Sequence, residues 1–453
     1  MVNAKQFNMF KVKDLLLSPT TFEDPIFGTH LRYFQWYGYV ASKDQNRPLL
    51  SLIRCTILTA SIWLSCALML ARVFRGYENL NDGATSYATA VQYFAVSIAM
   101  FNAYVQRDRY VLLYLHIVLE VISLLRVAHS DIQNLMHEAD NREMELLVAT
   151  QAYTRTITLL IWIPSVIAGL MAYSDCIYRS LFLPKSVFNV PAVRRGEEHP
   201  ILLFQLFPFG ELCDNFVVGY LGPWYALGLG ITAIPLWHTF ITCLMKYVNL
   251  KLQILNKRVE EMDITRLNSK LVIGRLTASE LTFWQMQLFK EFVKEQLRIR
   301  KFVQELQYLI CVPVMADFII FSVLICFLFF ALTVGVPSKM DYFFMFIYLF
   351  VMAGILWIYH WHATLIVECH DELSLAYFSC GWYNFEMPLQ KMLVFMMMHA
   401  QRPMKMRALL VDLNLRTFID VRLLTANSIL DLSNSSLSFP DWPWSLQLLQ
   451  FAA

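Results

Sequence analysis

Three charged residues lie four positions apart near the end of this chain. Asp412, Arg416 and Asp420 belong to the stretch Arg407–Leu432, which is otherwise rich in leucine. Residues four apart share one face of an α-helix, so we expect these side chains to form ion pairs there. A charge at the centre of a membrane helix costs about 2.5–3.5 kcal/mol on insertion scales, so it normally faces protein or water. The stretch therefore predicts a helix that is buried in an assembly or lines a water-filled path.

A second group of chemically capable side chains is His360, His362, Cys369 and His370. The first two histidines are two positions apart, which places them on different sides of a helix, so packing is favoured over metal binding. The nine cysteines include no CxxC pair, and neither GxxxxGK nor GxGxxG occurs. We therefore predict no catalytic residue, no metal site and no cofactor.

The composition indicates an integral membrane protein. Hydrophobic residues make up 57% of the 453 residues and charged residues 16%, whereas typical soluble domains have roughly 25% charged residues. The net charge of +2 is too small to indicate nucleic-acid binding. Residues 1–28 contain no apolar core of signal-peptide length, so we expect the first spanning helix to be its own targeting signal.

Uncharged apolar stretches predict six membrane-spanning helices, because about 20 apolar residues cross a bilayer as a helix. The stretches are Cys55–Ala71, Ala84–Gln106, Thr156–Ser174, Phe216–Met245, Phe318–Ser338 and Tyr342–Val367. The charged stretch Arg407–Leu432 makes a seventh span, and the shorter run Met392–Ala400 fits a buried or re-entrant helix. The predicted fold class is therefore an all-α membrane protein with seven transmembrane helices in the lipid bilayer.

Lysine and arginine in the connections predict the orientation. The N-terminal segment and the loops after the second, fourth and sixth spans contain most of these residues, and the other loops contain few. We therefore expect a cytoplasmic N-terminus and an extracellular C-terminus. Cys176 and Cys213 then share an outer loop and could pair, a question that the sequence leaves open.

The tripeptide Asp108-Arg109-Tyr110 spells a signature of G-protein-coupled receptors. In those receptors it follows the third helix of a protein whose N-terminus is outside. Here it follows the second predicted span, the N-terminus is predicted to be inside, and no NPxxY occurs. We therefore interpret it as the basic cytoplasmic end of a helix.

Two spans are predicted to continue as helices into the cytoplasm. Tyr247–Met262 and Ser279–Leu309 keep apolar residues at intervals of three to five positions among charged ones, which is typical of amphipathic helices. We expect these extensions to pack on one another or on neighbouring subunits.

Short blocks of polar and aromatic residues punctuate the region Ala363–Ile429. The blocks are Glu372-Leu373, Ser374, Ala376-Tyr377, Trp382-Tyr383, Gln390-Lys391, Gln401-Arg402-Pro403, Leu413-Asn414-Leu415 and Thr417-Phe418. In order and spacing they resemble the C-terminal signature of the insect odorant receptors. The seven spans, the orientation and the length agree with that family, so the resemblance covers most of the chain.

The resemblance implies a ligand-gated, non-selective cation channel in the plasma membrane of sensory neurons. In that family an odorant-tuned subunit forms a heterotetramer with a common co-receptor, four last helices surround the pore, and a small volatile ligand binds among the second, third, fourth and sixth helices. The implied organisation is a cytoplasmic N-terminal segment (1–48), helices 1–4 with the ligand pocket (49–245), cytoplasmic helical extensions (246–310), helices 5–6 (311–370), a cytoplasmic anchor-helix region (371–406), pore-lining helix 7 (407–432) and an atypical extracellular tail (433–453).

A pocket for volatile ligands needs aromatic walls and few polar groups. The candidate ligand-binding residues are Ala90, Tyr93, Phe94, Thr158, Ile161, Trp162, Tyr220, Trp224, Tyr225, Gly228, Met345 and Tyr348. By the resemblance, Tyr93, Phe94 and Trp162 match the pocket-lining positions best. Packing is the alternative role for every aromatic residue on this list, because aromatic residues make up 15% of the chain.

The resemblance also assigns pore-lining positions in the last span. They are Val421, Thr425, Ser428, Ile429 and Leu432, for which helix packing is the alternative role. The family's last helix usually carries a Tyr-Ser pair after Thr-Phe, whereas this chain has Thr425-Ala426-Asn427-Ser428 at the corresponding place. The tail that follows contains two prolines, which cannot continue a helix.

Two other functions remain as alternatives. A gustatory receptor of the same superfamily would close with a Thr-Tyr block followed by Gln-Phe, but here Thr425 precedes alanine and Gln450-Phe451 is distant. A membrane transporter or transferase would need clustered acidic residues or histidines within the spans, or an internal repeat. The uncharged stretches contain only His238, His360 and His362 of these residue types, which disfavours that class.

Overall fold

The computed structural model describes residues 28–39, 48–74, 80–106, 109, 133–182, 221–260, 278–334, 339–409 and 411–420. These residues form a bundle of α-helices with one short hairpin. The elements are α1 (Gly28–Tyr37), α2 (Pro48–Phe74), α3 (Leu80–Val105), α4 (Gln133–Phe182), α5 (Gly222–Glu260), α6 (Ala278–Val334), α7 (Lys339–Ser379), a 3₁₀ turn (Trp382–Asn384), α8 (Met387–Ala400), β1 (Arg407–Ala408) and β2 (Val411–Asp412). A final helix begins at residue 415 and is described as far as residue 420.

Within the described ranges, five helical stretches are long and apolar enough to cross a membrane. They are Leu50–Ala71, Glu145–Met171, Gly222–Glu260, Met286–Cys326 and Met345–Ser379, and a shorter apolar stretch is Thr89–Val105. Each of these six stretches overlaps one of the first six predicted spans, although Met286–Cys326 shares only residues 318–326 with the fifth. Helices suit this composition because each satisfies its own backbone hydrogen bonds without water.

Helix α5 lies at the centre of the bundle. In an 18-residue apolar window of α5, 78% of the residues are buried, against 22–50% in the corresponding windows of the other four stretches. Helix α5 contacts α1, α2, α3, α4, α6 and α7. Small residues such as Ala226, Gly230 and Ala233 let neighbouring helices approach closely. Helix α5 continues past Lys246 to Glu260, and α6 begins at Ala278, so the predicted helical extensions are present.

Helix α1, from the predicted N-terminal segment 1–48, packs against α2 and α5. The Tyr37 hydroxyl lies 2.6 Å from the Thr232 hydroxyl, and the His30 ring nitrogen lies 2.9 Å from the Thr239 hydroxyl. Both threonines belong to the apolar part of α5. At Gly38, φ is +84° and a Cβ would lie 2.9 Å from the Cys55 nitrogen, so glycine is required where the chain turns beside α2. The position of α1 therefore follows from the burial of its aromatic side chains, which the length of an apolar stretch does not predict.

The predicted helix 407–432 begins later than the sequence suggests. β1 and β2 pair in antiparallel register, with Arg407 opposite Asp412, and the Arg407 Nε donates to the Asp412 carboxylate at 2.7 Å. The prediction that Asp412 shares a helical face with Arg416 and Asp420 is therefore wrong. The local hairpin lets Asp412 pair with Arg407 before the helix starts.

Candidate functional site

Tyrosine hydroxyls bind backbone carbonyl groups along the N-terminal half of α5. The Tyr93 hydroxyl, from α3, donates to the Ala226 carbonyl. The Tyr173 hydroxyl, from α4, donates to the Trp224 carbonyl at 2.7 Å, and its ring lies 4.6 Å from the Trp224 ring. These bonds fix the three helices relative to one another and leave aromatic faces between them.

Glycines on α5 provide the room for these tyrosines. A Cβ at Gly230 would overlap the Tyr93 phenol, and a Cβ at Gly228 would lie 3.4 Å from the Tyr173 hydroxyl. The Tyr93 side chain is therefore packed directly against the α5 backbone. A larger residue at position 230 would displace it.

Helix α7 adds a further tyrosine to this region. The Tyr348 hydroxyl donates to the Gln92 side-chain oxygen, and Gln92 is buried beside Tyr93 on α3. Ala90 packs with Tyr93 and Ala226, and Phe94 contacts the same cluster. We call Tyr93, Tyr173, Tyr348, Trp224 and Gln92 the aromatic region. Its side chains offer ring faces, hydroxyl groups and one amide, and none of the five is charged.

The structure separates the candidate ligand residues into two levels. Ala90, Tyr93, Phe94, Trp224, Gly228 and Tyr348 lie in or next to the aromatic region. Ile161 instead packs against Ile358, which follows Tyr348 by ten residues or about 15 Å of helix. Thr158 lies one turn before Trp162 and donates to the Thr154 carbonyl at 2.7 Å.

Trp162 belongs to the deeper level. Its ring lies 4.9 Å from the ring of Tyr33 on α1. Its indole nitrogen is buried and makes no hydrogen bond within the described part of the chain. Trp162 therefore carries an unused donor at the level where α1 enters the bundle.

Three candidates have other surroundings. The Tyr225 side chain is 50% exposed, and its hydroxyl lies 3.2 Å from the Ser61 hydroxyl on α2. Met345 is fully buried in the main core. Tyr220 lies outside the described residues, as do the candidate pore residues Val421, Thr425, Ser428, Ile429 and Leu432.

The sequence missed Gln92 and Tyr173, which the structure places in this region. Gln92 carries an amide within an otherwise apolar span, and Tyr173 lies near the end of another span. A polar residue inside a span can be recognised from the sequence as a candidate functional residue. The partner of each residue depends on the packing of α3 and α4 on α5 and α7.

The start of the final helix is fixed by the Leu-Asn-Leu and Thr-Phe blocks. The Asn414 side-chain oxygen accepts the backbone N–H of Thr417 at 2.7 Å and its hydroxyl at 3.0 Å, which is an N-cap arrangement. The Leu415 backbone N–H donates to the Thr364 hydroxyl on α7 at 3.0 Å. The Phe418 ring lies 5.5 Å from the His360 ring. Helix α7 therefore holds the base of the final helix.

The other blocks hold the turn between α7 and α8. The Gln390 amide donates to the Phe385 carbonyl at 2.9 Å and to the Trp382 carbonyl at 3.4 Å. The Arg300 guanidinium, from α6, donates to the Arg402 carbonyl at 3.0 Å. Burial, together with Arg300 and Arg402, lowers the pKa of His399 at the end of α8. The blocks thus tie α8 to α6 and α7.

Comparisons with known proteins agree with this architecture. The family model described as 7tm Odorant receptor matches residues 79–425. Odorant receptor 56a of Drosophila melanogaster is 97% identical over 413 residues, which cover 91% of this chain and 96% of that protein. Odorant receptor Or2 of Anopheles gambiae is 28% identical over 116 residues, which cover 25% of this chain and 30% of that protein.

Solved structures show the same fold. The insect olfactory receptor OR5 from Machilis hrabei in complex with eugenol has a TM-score of 0.65 at 13% identity, covering 90% of this chain and 98% of that one. A second structure of OR5 from Machilis hrabei has a TM-score of 0.64 at 12% identity, covering 89% of this chain and 98% of that one. The family match spans most of the chain, so this protein is a multi-pass membrane receptor and not an enzyme. It belongs to the 7tm odorant receptor family.

Proposed function

We propose that this chain is the odorant-binding subunit of a ligand-gated, non-selective cation channel. It binds a small volatile hydrophobic ligand among its transmembrane helices. It opens a pore in a heterotetramer with a common co-receptor, in the plasma membrane of sensory neurons. The N-terminus is cytoplasmic and the C-terminus extracellular in this proposal.

The aromatic region carries the ligand-binding part of the proposal. Four different helices bring Tyr93, Tyr173, Trp224 and Tyr348 together, and the Tyr93 and Tyr173 hydroxyls are already bound to α5 carbonyl groups. A ligand that enters between these rings therefore meets mainly apolar faces, which suits a volatile compound. OR5 from Machilis hrabei has the same fold and has been solved with eugenol, which supports a small-molecule ligand here.

The base of the final helix supports the channel part. It is capped by Asn414 and attached to α7 through Thr364, and the proposed pore positions Val421, Thr425, Ser428, Ile429 and Leu432 follow on the same stretch of sequence. Helix α7 also carries Tyr348 of the aromatic region. One helix thus connects the proposed pocket with the proposed pore helix.

The apolar surface of α8 supports assembly. Val394, Phe395 and Met398 are 56–71% exposed, on a helix that lies outside the five stretches long and apolar enough to cross a membrane. Exposed apolar patches of this kind commonly mark protein interfaces. In the proposed channel they contact neighbouring subunits in the cytoplasmic anchor.

Heterologous expression tests the proposal. Cells that express this chain with the co-receptor should show a cation current evoked by at least one volatile in a broad panel, and cells with either subunit alone should not show that response. A response without the co-receptor contradicts the heteromeric channel. Absence of any response from surface-expressed complexes contradicts odorant gating.

A further inference from the structure

An aspartate lies in the middle of the bundle. The sequence predicts the fifth span from Phe318, because the preceding Asp317 is charged, but α6 runs through this position without a break. Asp317 is fully buried, and neither of its carboxylate oxygens has a hydrogen-bond donor within the described residues. Ionisable residues inside membrane segments are costly and mark functional sites by default.

Asp317 faces a histidine and a tyrosine from two other helices. The His238 Nδ1, on α5, lies 3.6 Å from the Asp317 Oδ2 and 2.7 Å from the Tyr359 hydroxyl on α7. His238 and Tyr359 are 0% and 1% exposed. We call Asp317, His238 and Tyr359 the polar cluster. It brings α5 together with α6 and α7.

One ring nitrogen therefore has two competing partners. The 2.7 Å separation from Tyr359 is a hydrogen bond, whereas 3.6 Å from Asp317 is too long for one. An unused buried acceptor costs free energy that a small shift of α5 towards α6 would recover. Such a shift would exchange the Tyr359 bond for an Asp317 bond, so the same three side chains allow a second arrangement.

The cluster lies between the aromatic region and the final helix. His238 follows Gly230 by eight residues, and Pro235 lies between them within α5. Proline removes one helical hydrogen bond, which makes this point of α5 easier to bend. On the other side, Phe318 and His360 are the sequence neighbours of Asp317 and Tyr359. The His360 ring lies 5.7 Å from the Phe318 ring and 5.5 Å from the Phe418 ring of the final helix.

We propose that His238 exchanges Tyr359 for Asp317 as its partner when the ligand opens the channel. The observed arrangement, with the Tyr359 bond, is the resting one. These are positioning residues that act through the helices they join. The inference rests on the proposed channel function and adds to it the place where ligand binding is transmitted from α5 to α7.

The exchange predicts effects of opposite sign. Tyr359→Phe removes the resting bond, so it should lower the ligand concentration for half-maximal current and raise the basal current. Asp317→Leu removes the second partner, so it should raise that concentration. Each substitution should change the half-maximal concentration about fivefold, which is the effect expected from the loss of one hydrogen bond. A purely structural cluster would instead shift both variants in the same direction or reduce only their surface amounts.

Two matched variants complete the test. Asp317→Asn keeps an acceptor of the same shape and should restore a near-normal response. Tyr377→Phe makes the same substitution at another fully buried tyrosine of α7 and should leave the response unchanged. Surface labelling identifies variants that do not fold. If Asp317→Leu is absent from the surface, Tyr359→Phe decides alone: a lower half-maximal concentration supports the exchange.

Three results overturn the inference: shifts of the same sign, no shift in Tyr359→Phe, or a higher half-maximal concentration in that variant. All of them require that the unsubstituted channel responds to a volatile with the co-receptor. Loss of that response would contradict the proposed function itself, so the two failures are distinguishable.

Discussion

The aromatic region and the polar cluster lie on either side of Pro235 along the same helix, α5. In the aromatic region, tyrosine hydroxyls bind α5 carbonyl groups and glycines make room for the rings. In the polar cluster, ionisable side chains are buried and several of their polar atoms lack partners within the described residues. The first arrangement suits recognition by shape, and the second suits a change between two packings. The difference indicates how one helix can serve both binding and transmission.

The largest effect is expected from crowding the aromatic region. Gly230→Ala places a methyl group where the Tyr93 phenol lies, and overpacking of this kind typically costs about 1–3 kcal/mol. We expect the displaced Tyr93 ring to raise the half-maximal concentration of an active volatile about thirtyfold. This corresponds to about 2 kcal/mol, at 1.4 kcal/mol for each factor of ten. Dose–response currents with surface labelling measure it.

Gly354→Ala is the matched control for that substitution. A Cβ at Gly354, on α7, meets no atom within 4 Å among the described residues, so the response should be unchanged. If both alanine variants respond normally, the aromatic region is not the ligand site and its contrast with the polar cluster fails.

A smaller effect is expected at the deeper level. Trp162→Ala removes the ring that contacts Tyr33. We expect odorant potency to change by about tenfold or more while surface expression stays normal. A tenfold change corresponds to about 1.4 kcal/mol of lost interaction. This prediction tests whether the pocket extends from the aromatic region towards the polar cluster.

The comparison variant for Trp162 is Trp357→Ala. Trp357 is 44% exposed on α7 and stacks on Trp361, so its loss should leave potency unchanged. An identical dose–response curve for Trp162→Ala and the unsubstituted channel would exclude Trp162 from the pocket and confine ligand binding to the aromatic region.

The smallest effect is expected at the base of the final helix. Asn414→Ala removes the N-cap, which typically costs about 1 kcal/mol of stability. We expect a lower thermal midpoint of the detergent-solubilised complex and a lower maximal current. Asn414→Asp retains a capping oxygen and should behave normally. A lower maximal current in both variants would show that the cap is not the reason.

Much of the fold follows from the pattern of apolar residues. Six predicted spans coincide with helices, and the extensions after Lys246 and before Leu309 are present because apolar positions recur at helical intervals there. The pattern failed at Asp412, where a nearby arginine favours a hairpin. At Asp317, a search for uncharged stretches begins the span only at the next residue, although the helix runs through this position. Both residues are charged, and neither the local partner nor the burial of a charge is visible in hydropathy.

The candidate site was predictable only in part. Tyr93, Phe94 and Tyr348 lie near one another, whereas Ile161 and Trp162 lie at a deeper level and Tyr225 is half exposed beside α2. The resemblance names positions along each helix. It does not give the offset between helices, which sets the neighbours of each side chain.

The sequence by itself determined the membrane class, the helices and the family, because these depend on composition, periodicity and blocks of adjacent residues. Only the tertiary structure decided that α5 is central, that α1 enters the bundle, and that His238 meets Tyr359 across 121 positions of sequence. The physical reason is that a helix satisfies its own backbone locally, whereas the partners of buried polar side chains depend on how separate helices pack.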